Sequence, residues 1–381
     1  MTSLSRRRIA LVSSSYAPHI GGVERHTAEI ARELLSRGHS VEVWTVDRGE
    51  RVAPPRRDPW PVRYLPAPLP ASSPRAAVSF LRSAPAAWQA WQAAAREFRP
   101  DVLHIQCFGP NGVYADLLGR VRKLPRVVSS HGETQADDHN IFDRSVLLRT
   151  ALRRAVRDST VTGCSLSVVD DLSSRFGAAR PVVVPNGVDL DALPDPAAVE
   201  RDPRRIVGVG RLEYNKGFDL LLAAVSRLPD DVPVQLVGDG GQREALTRQA
   251  KDLGMADRLT ITGRMDHSEV PRSIAAAGVV CVPSRRESFG IVVLEAWAVG
   301  TPVVATAIAG PAGFVSDGED GILADPTDTD QLAGALRRAM ESDVAQHLRE
   351  SGARSVRAYT WQRAAELYEE AFDRAVQDRE D

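Results

Sequence analysis

Two stretches of the chain combine charge, glycine and helix-starting signals in a way that suits a phosphorylated, hydroxyl-rich ligand. The first is Gly208-Val-Gly-Arg211-Leu-Glu-Tyr-Asn-Lys216-Gly217. It follows an apolar run and precedes a helical one. Its glycines let backbone approach a ligand, and Arg211 and Lys216 bring two cations to a helix N-terminus, an arrangement that suits a pyrophosphate. Glu213 stands where a dinucleotide fingerprint has its third glycine, and no Ser or Thr follows the lysine as in a P-loop. A turn with two solvated cations is the competing reading. The second stretch is Pro283-Ser-Arg-Arg-Glu287-Ser-Phe-Gly290-Ile-Val-Val-Leu-Glu295-Ala. A strand ends at Pro283 and a helix opens near Gly290, so the first-turn amides form a second anion site. Glu295 sits among Val293, Leu294, Ala296 and Trp297, where a carboxylate needs hydrogen-bond donors such as sugar hydroxyls. The plain alternative is a capping Glu287 with an outward-facing Glu295.

Smaller signals lie elsewhere. Gly21-Gly22-Val-Glu24-Arg-His26 joins flexible backbone to a free helix N-terminus. Glu24 and His26 there are candidates for contact with a polar ligand or phosphate, or are ordinary surface positions. Ser129-Ser130-His131-Gly132 puts a histidine at a strand end, followed by an acidic polar loop, Glu133 to Asp138. Glu133 and Asp137 in that loop are candidates for contact with a polar or cationic ligand such as an amino sugar. Asp328-Thr-Asp330 has the look of a D-x-D metal site, but it opens a helix, and N-capping explains it. Residues 142–157 interleave Arg144, Arg149, Arg153, Arg154 and Arg157 with apolar positions. Such a helix suits an anionic membrane surface or, more simply, a solvated domain face.

These residues need elements to position them, and the chain reads as strands alternating with helices. Strands are expected at 9–13, 41–46, 101–107, 126–130, 160–164 and 181–185, with helices at 23–37 and 74–98 between them. The prolines from Pro54 to Pro74 exclude a helix and imply an extended connection. A second series places strands at 205–209, 234–237, 259–261, 279–282 and 302–305, with helices at 218–227, 242–253, 268–277 and 289–298. After Pro326 the chain reads as helical to its end. The alternation implies parallel sheets covered on both faces. The expected organisation is an N-terminal domain over 1–190, a linker over 191–204, a C-terminal domain over 205–358, and a closing helix over 359–381 packed back on the N-terminal domain. Ligands of open α/β sheets bind outside the strands' carboxyl ends, so a cleft between two such domains is the expected site.

The composition narrows the function classes. The 381 residues carry 48 Lys+Arg against 50 Asp+Glu, a net charge of -2. This balance argues against a nucleic-acid partner. At roughly 150 residues per domain the length implies two domains, each large enough for its own core. Three scattered cysteines form no disulfide framework and suit a reducing compartment. No run approaches the ~20 apolar residues of a membrane span, and the apolar run 9–12 is too short for a signal peptide. The expectation is a soluble cytoplasmic protein, with peripheral contact at the inner membrane face open.

Taken together, these motifs resemble those of the retaining glycosyltransferases of family 4. The resemblance runs over nearly the whole chain. It is carried by the Glu287-x7-Glu295 segment, with Pro185-Asn-Gly-Val-Asp189, Gly210-Arg211-Leu with Lys216-Gly217, Val237-Gly-Asp-Gly240 and Gly300-Thr-Pro-Val-Val-Ala in support. It implies the GT-B fold, an α/β architecture of two Rossmann-like, doubly wound domains facing an interdomain cleft. It further implies transfer of a sugar from a nucleoside-diphosphate sugar to the hydroxyl of a small-molecule, glycan or lipid acceptor, with no metal or other cofactor. By resemblance, Arg211 and Lys216 bind the donor diphosphate. Glu287 holds sugar hydroxyls, and Phe289, Gly290 and Ile291 offer backbone amides. Glu295 takes the ribose, and Gly263-Arg264-Met265 lies where the base is held. Gly22 approaches the diphosphate from the N-terminal domain, His131 positions the donor and stabilises the transition state, and Glu24, His26, Glu133 and Asp137 are the acceptor-facing candidates. Two other readings compete: a nucleotide-sugar epimerase or hydrolase on the same fold, for which no water-activating base stands out, and a non-catalytic nucleotide-sugar binder.

Overall fold

A computed structural model describes residues 6–19, 21–49, 58–70, 74–135, 141–195, 198–266, 268–308 and 310–380. The chain divides into two units, one made of Met1–Pro185 with Trp361–Asp381, the other of Asn186–Thr360. The stretch 191–204, expected as a linker, therefore falls inside the second unit.

The first unit is built on seven strands: β1 (Arg8–Ser13), β2 (Ser40–Val46), β3 (Val62–Leu65), β4 (Val102–Gln106), β5 (Arg126–Ser130), β6 (Thr160–Gly163) and β7 (Val182–Val183). They lie in the order β3-β2-β1-β4-β5-β6-β7, and every neighbouring pair is parallel. Sheets covered on both faces need strands that are apolar on both sides, and Ile9, Ala10, Leu11 and Val12 are all fully buried. The order reverses between β1 and β4, which makes their carboxyl ends the switch point. Register there sets four polar residues in a row across the sheet: Ser13 beside Gln106, Gln106 beside Ser129, and Ser129 beside Thr162. The last helix, Trp361–Glu380, packs in this unit beside the helix Gly22–Ser36. Arg37 donates to Glu369 at 2.7 and 2.9 Å, and His39 Nε2 lies 2.8 Å from the other carboxylate oxygen. Burial alone would raise the Glu369 carboxyl, but these partners outweigh it and hold it below its ordinary value.

The second unit carries β8 (Asp202–Val209), β9 (Val234–Val237), β10 (Leu259–Gly263), β11 (Ala277–Val282), β12 (Val303–Thr306) and β13 (Ile322–Ala324). Their order, β10-β9-β8-β11-β12-β13, is again parallel throughout and reverses between β8 and β11. Its core is the aliphatic cluster around Ile206, Leu221, Leu222, Leu236, Val279 and Leu336.

Three expectations change. The proline-rich connection contains an edge strand, β3, between Pro61 and Pro66, where ladder donors are needed on one side only. Strand β8 begins at Asp202, earlier than its apolar run. The short edge strand β13 was not expected at all. Among the described residues no helix is long and apolar enough to cross a membrane. In the basic helix Val146–Arg157, Leu148, Leu152, Ala155 and Val156 are buried, while Val146 and Leu147 are exposed.

Candidate active site

The second unit gathers most of the expected residues at the carboxyl ends of β8 and β11. After β8 the chain passes Gly210 and the exposed Arg211, makes a short 3-10 turn over Tyr214–Lys216, and enters the helix Phe218–Val225 through Gly217. Gly217 has φ +68°, and a Cβ there would lie 2.0 Å from the carbonyl oxygen of Pro283. Only glycine permits that contact between the two loops. The Asn215 carbonyl accepts N–H bonds from Arg285 (2.8 Å) and Arg286 (3.2 Å), stitching the loops together. Arg285 forks onto Asp219 at 2.6 Å twice and lies 4.0 Å above the Tyr214 ring. It is a clamp on the loop, and its tertiary partners hide that role from the sequence.

Inside this frame Lys216 Nζ meets Glu287 Oε2 at 2.7 Å, and Ser284 Oγ donates to the same oxygen at 3.0 Å. The Lys216 and Glu287 side chains are 23 % and 14 % exposed, so the pair is largely sheltered but reachable. The Glu287 carbonyl accepts the Gly310 N–H at 2.7 Å, which fixes the turn that follows. Phe289 is buried and stacked on Phe314, so that residue offers backbone and not its ring. Gly290, at φ +94°, caps the helix Ile291–Ala298. First-turn amides of such a helix have no intrahelical acceptor and carry the positive end of its dipole. Glu295 is 5 % exposed, with Val293, Leu294, Ala296 and Trp297 buried around it, so the outward-facing alternative does not hold. Arg211, Lys216, Glu287 and the 289–291 backbone thus lie at one end of one sheet, and Glu295 sits about one turn into the helix that begins there.

The third expected segment, Gly263-Arg264-Met265, is less uniform. Gly263 ends β10 and its carbonyl accepts the Gly238 N–H at 3.0 Å. Arg264 is exposed. The partly buried Met265 side chain packs against the cluster of Val207, Val237 and Ala277.

In the first unit the expected residues lie at the ends of β1, β4 and β5. Gly22 is exposed and opens the helix Gly22–Ser36. Glu24 folds back over the helix start, because a Cβ on Gly21 would lie 2.7 Å from its carboxylate. His26 is neither a surface residue nor placed to touch an acceptor. It is 1 % exposed, its Nε2 is 3.0 Å from the Tyr368 hydroxyl, and its ring stands edge-on to His131 at 4.4 Å. Being on the sheet-facing side of its helix puts it there. Glu133 is also corrected. Its carboxylate accepts the N–H groups of Phe108 (2.8 Å) and His131 (2.8 Å) and the Ser130 hydroxyl (2.9 Å), so it shapes the His131 loop. Burial raises its carboxyl, against these bonds. Asp137 lies outside the described residues. His131 Nε2 lies 2.8 Å from Gln106 Oε1, and burial pushes the ring down to about 4, so it is neutral near pH 7. Asp328 caps the helix Thr329–Met340 by accepting from the amides of Asp330 and Gln331, and Asp330 pairs with Arg227. Sequence reasoning missed Gln106 and His104, although two polar residues two apart in an otherwise apolar strand are a period-2 signal.

Two doubly wound Rossmann-like units, the second with cations, free amides and inward glutamates at its switch point, define the GT-B class of glycosyltransferases. Residues 191–355 match the model of "Glycosyl transferases group 1", and residues 20–192 that of "Glycosyltransferase Family 4". A glycogen synthase of Mycobacterium tuberculosis is 30 % identical over 94 % of this chain and 92 % of its own. A 2-deoxystreptamine N-acetyl-D-glucosaminyltransferase of Streptomyces fradiae is 31 % identical over 93 % and 92 %. An Anabaena protein solved in complex with UDP and glucose superposes with a TM-score of 0.78 at 21 % identity, covering 97 % of this chain and 100 % of that one. The chain belongs to glycosyltransferase family 4 and is a glycosyltransferase.

Proposed function

We propose that this enzyme takes a sugar from a nucleoside-diphosphate sugar and transfers it to an acceptor hydroxyl with retention at the anomeric carbon. The observation that carries the reading is the Lys216–Glu287 contact beside the start of the helix Ile291–Ala298. It puts a cation for a diphosphate and a carboxylate for sugar hydroxyls within one hydrogen bond of each other. Lys216 and Arg211 stabilise negative charge on the departing diphosphate, with the amides at 290–291 adding dipole. Two side-chain cations do here what a metal ion does elsewhere, so no metal is assigned to the reaction. Glu287 orients the sugar and Glu295 accepts from the ribose hydroxyls. The Arg264 backbone lies toward the base. The family resemblance assigns Gly22 to the diphosphate, His131 to the donor sugar and the first unit to the acceptor.

In the transfer, the bond from the anomeric carbon to the diphosphate oxygen breaks and the bond to the acceptor oxygen forms on the same face. The acceptor proton passes to the leaving phosphate oxygen, so atoms and charge balance without a protein nucleophile. Positioning and preorganised charge supply the rate. The neutral His131 ring leaves the proton path to the phosphate. The acceptor is a small molecule, glycan or lipid, and the three free cysteines suit work in a reducing cytoplasm. No nucleic acid takes part. Peripheral contact with the inner face of the membrane, through Val146, Leu147 and the arginines beside them, goes with a lipid acceptor.

The test is incubation of the full chain with UDP-, GDP- and ADP-sugars, with and without an acceptor panel. Products are read by NMR. The expected result is acceptor-dependent release of one nucleoside diphosphate and a product whose anomeric configuration matches the donor's. An inverted anomer would contradict retention. An epimerised or hydrolysed donor in the absence of acceptor would replace the transferase reading.

A further inference from the structure

Behind His131 a line of buried polar side chains crosses the first unit's sheet. Gln106, 0 % exposed, turns its carbonyl to His131 Nε2 at 2.8 Å and its amide to His104 Nδ1 at 3.5 Å. His104, equally buried, lies 2.7 Å from Ser129 Oγ through Nε2, and Ser129 Oγ is 2.6 Å from Thr162 Oγ1. The register that aligns Gln106, Ser129 and Thr162 on β4, β5 and β6 makes this chain possible. The C-terminal helix closes it. The Tyr368 hydroxyl, on a side chain 1 % exposed, lies 3.0 Å from His26 Nε2. Its ring lies 4.5 Å from that of His104.

The bonds have one consistent direction. A carbonyl oxygen only accepts, so His131 must carry its proton on Nε2 to bond Gln106. The Gln106 amide only donates, so His104 Nδ1 accepts and its Nε2–H donates to Ser129. Among the described residues nothing bonds His131 Nδ1.

We propose that Gln106 is a positioning residue for sugar transfer: its side-chain carbonyl locks His131 as the Nε2–H tautomer, and His104 and Ser129 hold that side chain in place, with the Tyr368 ring packed against His104. The consequence is chemical. His131 presents a bare Nδ1, which accepts a hydrogen bond from a donor-sugar hydroxyl and has no proton to give. The inference rests on the reading of His131 as facing the donor sugar. It also ties the C-terminal helix to the reaction, because that helix supplies Tyr368.

The experiment is 15N imidazole NMR on the full chain, wild type and Gln106 variants, from pH 5.5 to 8.5, alongside kcat and KM. The groups facing His131 are His26 from the helix Gly22–Ser36, Glu133 from its own loop, and Gln106 with His104 from β4. Wild type is expected to show a neutral Nε2–H ring at His131 that does not titrate in this range. Gln106→Met removes the acceptor, so the ring exchanges between tautomers, and kcat falls at least tenfold with donor KM changed less than threefold. Gln106→Glu restores the acceptor and the tautomer, and its carboxylate brings the ring's titration into the range, with a new pH limb in kcat. A wild-type Nδ1–H ring, or an unchanged tautomer in Gln106→Met, overturns the proposal. If Gln106→Met fails to fold, Gln106→Glu decides alone: a ring that still does not titrate overturns it. Absence of any sugar transfer by the wild type sinks the functional reading and leaves the tautomer result standing.

Discussion

Replacing Lys216 with alanine separates catalysis from folding at this site. The substitution removes one cation and leaves the Glu287 carboxylate with Ser284 Oγ as its remaining described hydrogen-bond donor. The pair is short, at 2.7 Å, and its side chains are 23 % and 14 % exposed. A charge-assisted bond of this kind contributes about 1.5–3 kcal/mol when well sheltered and about 0–1 kcal/mol in open solvent. Partial shelter places the stability cost near 1–2 kcal/mol, a melting shift of roughly 2–8 °C for units of this size. Against a typical stability of about 5–15 kcal/mol, the protein stays folded. Transition-state charge stabilisation is worth more. Losing one preorganised partner of a developing anion typically costs about 10²–10³ in kcat, or ~2.7–4 kcal/mol. The assay measures nucleoside diphosphate release at saturating donor and acceptor, with melting followed by circular dichroism on the same samples. Glu287→Gln is expected to lose activity as well, with a smaller change in melting. Turnover in Lys216→Ala within threefold of wild type would refute the role, as would an activity loss that merely tracks unfolding.

Two further outcomes follow from the packing. Gly217→Ala forces a side chain into the left-handed region, at about 1–2 kcal/mol, and drives a Cβ to 2.0 Å from Pro283 O. The two loops must part, so nucleoside diphosphate affinity by calorimetry is expected to fall at least tenfold, and unchanged affinity would show that the loop contact is dispensable. Stability should also fall with acidity in a defined window. Burial holds His131 down to about 4 and His104 down to about 3, while the unfolded chain titrates near 6.5. Between those values the unfolded chain binds protons that the native one refuses. The native advantage is therefore complete above pH ~6.5 and shrinks as pH falls, by about 1.4 kcal/mol per pH unit for each ring. Urea unfolding at pH 7, 6 and 5 measures the slope, which should be shallower in His104→Gln. An unchanged slope would show that His104 is protonated or solvated in the native state.

Much of the fold was legible because buried parallel strands are short apolar runs, and β1, β4, β9 and β11 announce themselves that way. The two edge strands escaped for opposite reasons. Prolines on either side of β3 dominate its local signal, and β13 is only three residues long, too short for any period. At the site, motif spacing found Arg211, Lys216, Glu287 and Glu295 because they lie on loops and a helix fixed by local turns. It gave no means of telling whether a polar residue faces a ligand or a neighbour. His26 and Glu133 read as ligand-facing, yet one is held by Tyr368, 342 positions away, and the other by the backbone of its own loop. Met265 likewise packs against Val207, Val237 and Ala277, a contact that no local pattern describes. The spacing of His104 and Gln106 marks one face of β4, but what they touch there is set by its register with β5.

The central claim, that the second unit grips a nucleoside diphosphate through Arg211, Lys216 and the amides at 290–291, is tested most directly by a crystal structure of the full chain bound to the nucleoside diphosphate it releases. Phosphate oxygens are expected within hydrogen-bond distance of Lys216 Nζ and the Ile291 amide, with the ribose on Glu295. A diphosphate bound away from the carboxyl ends of β8 and β11, or a ribose with no contact to Glu295, would contradict it.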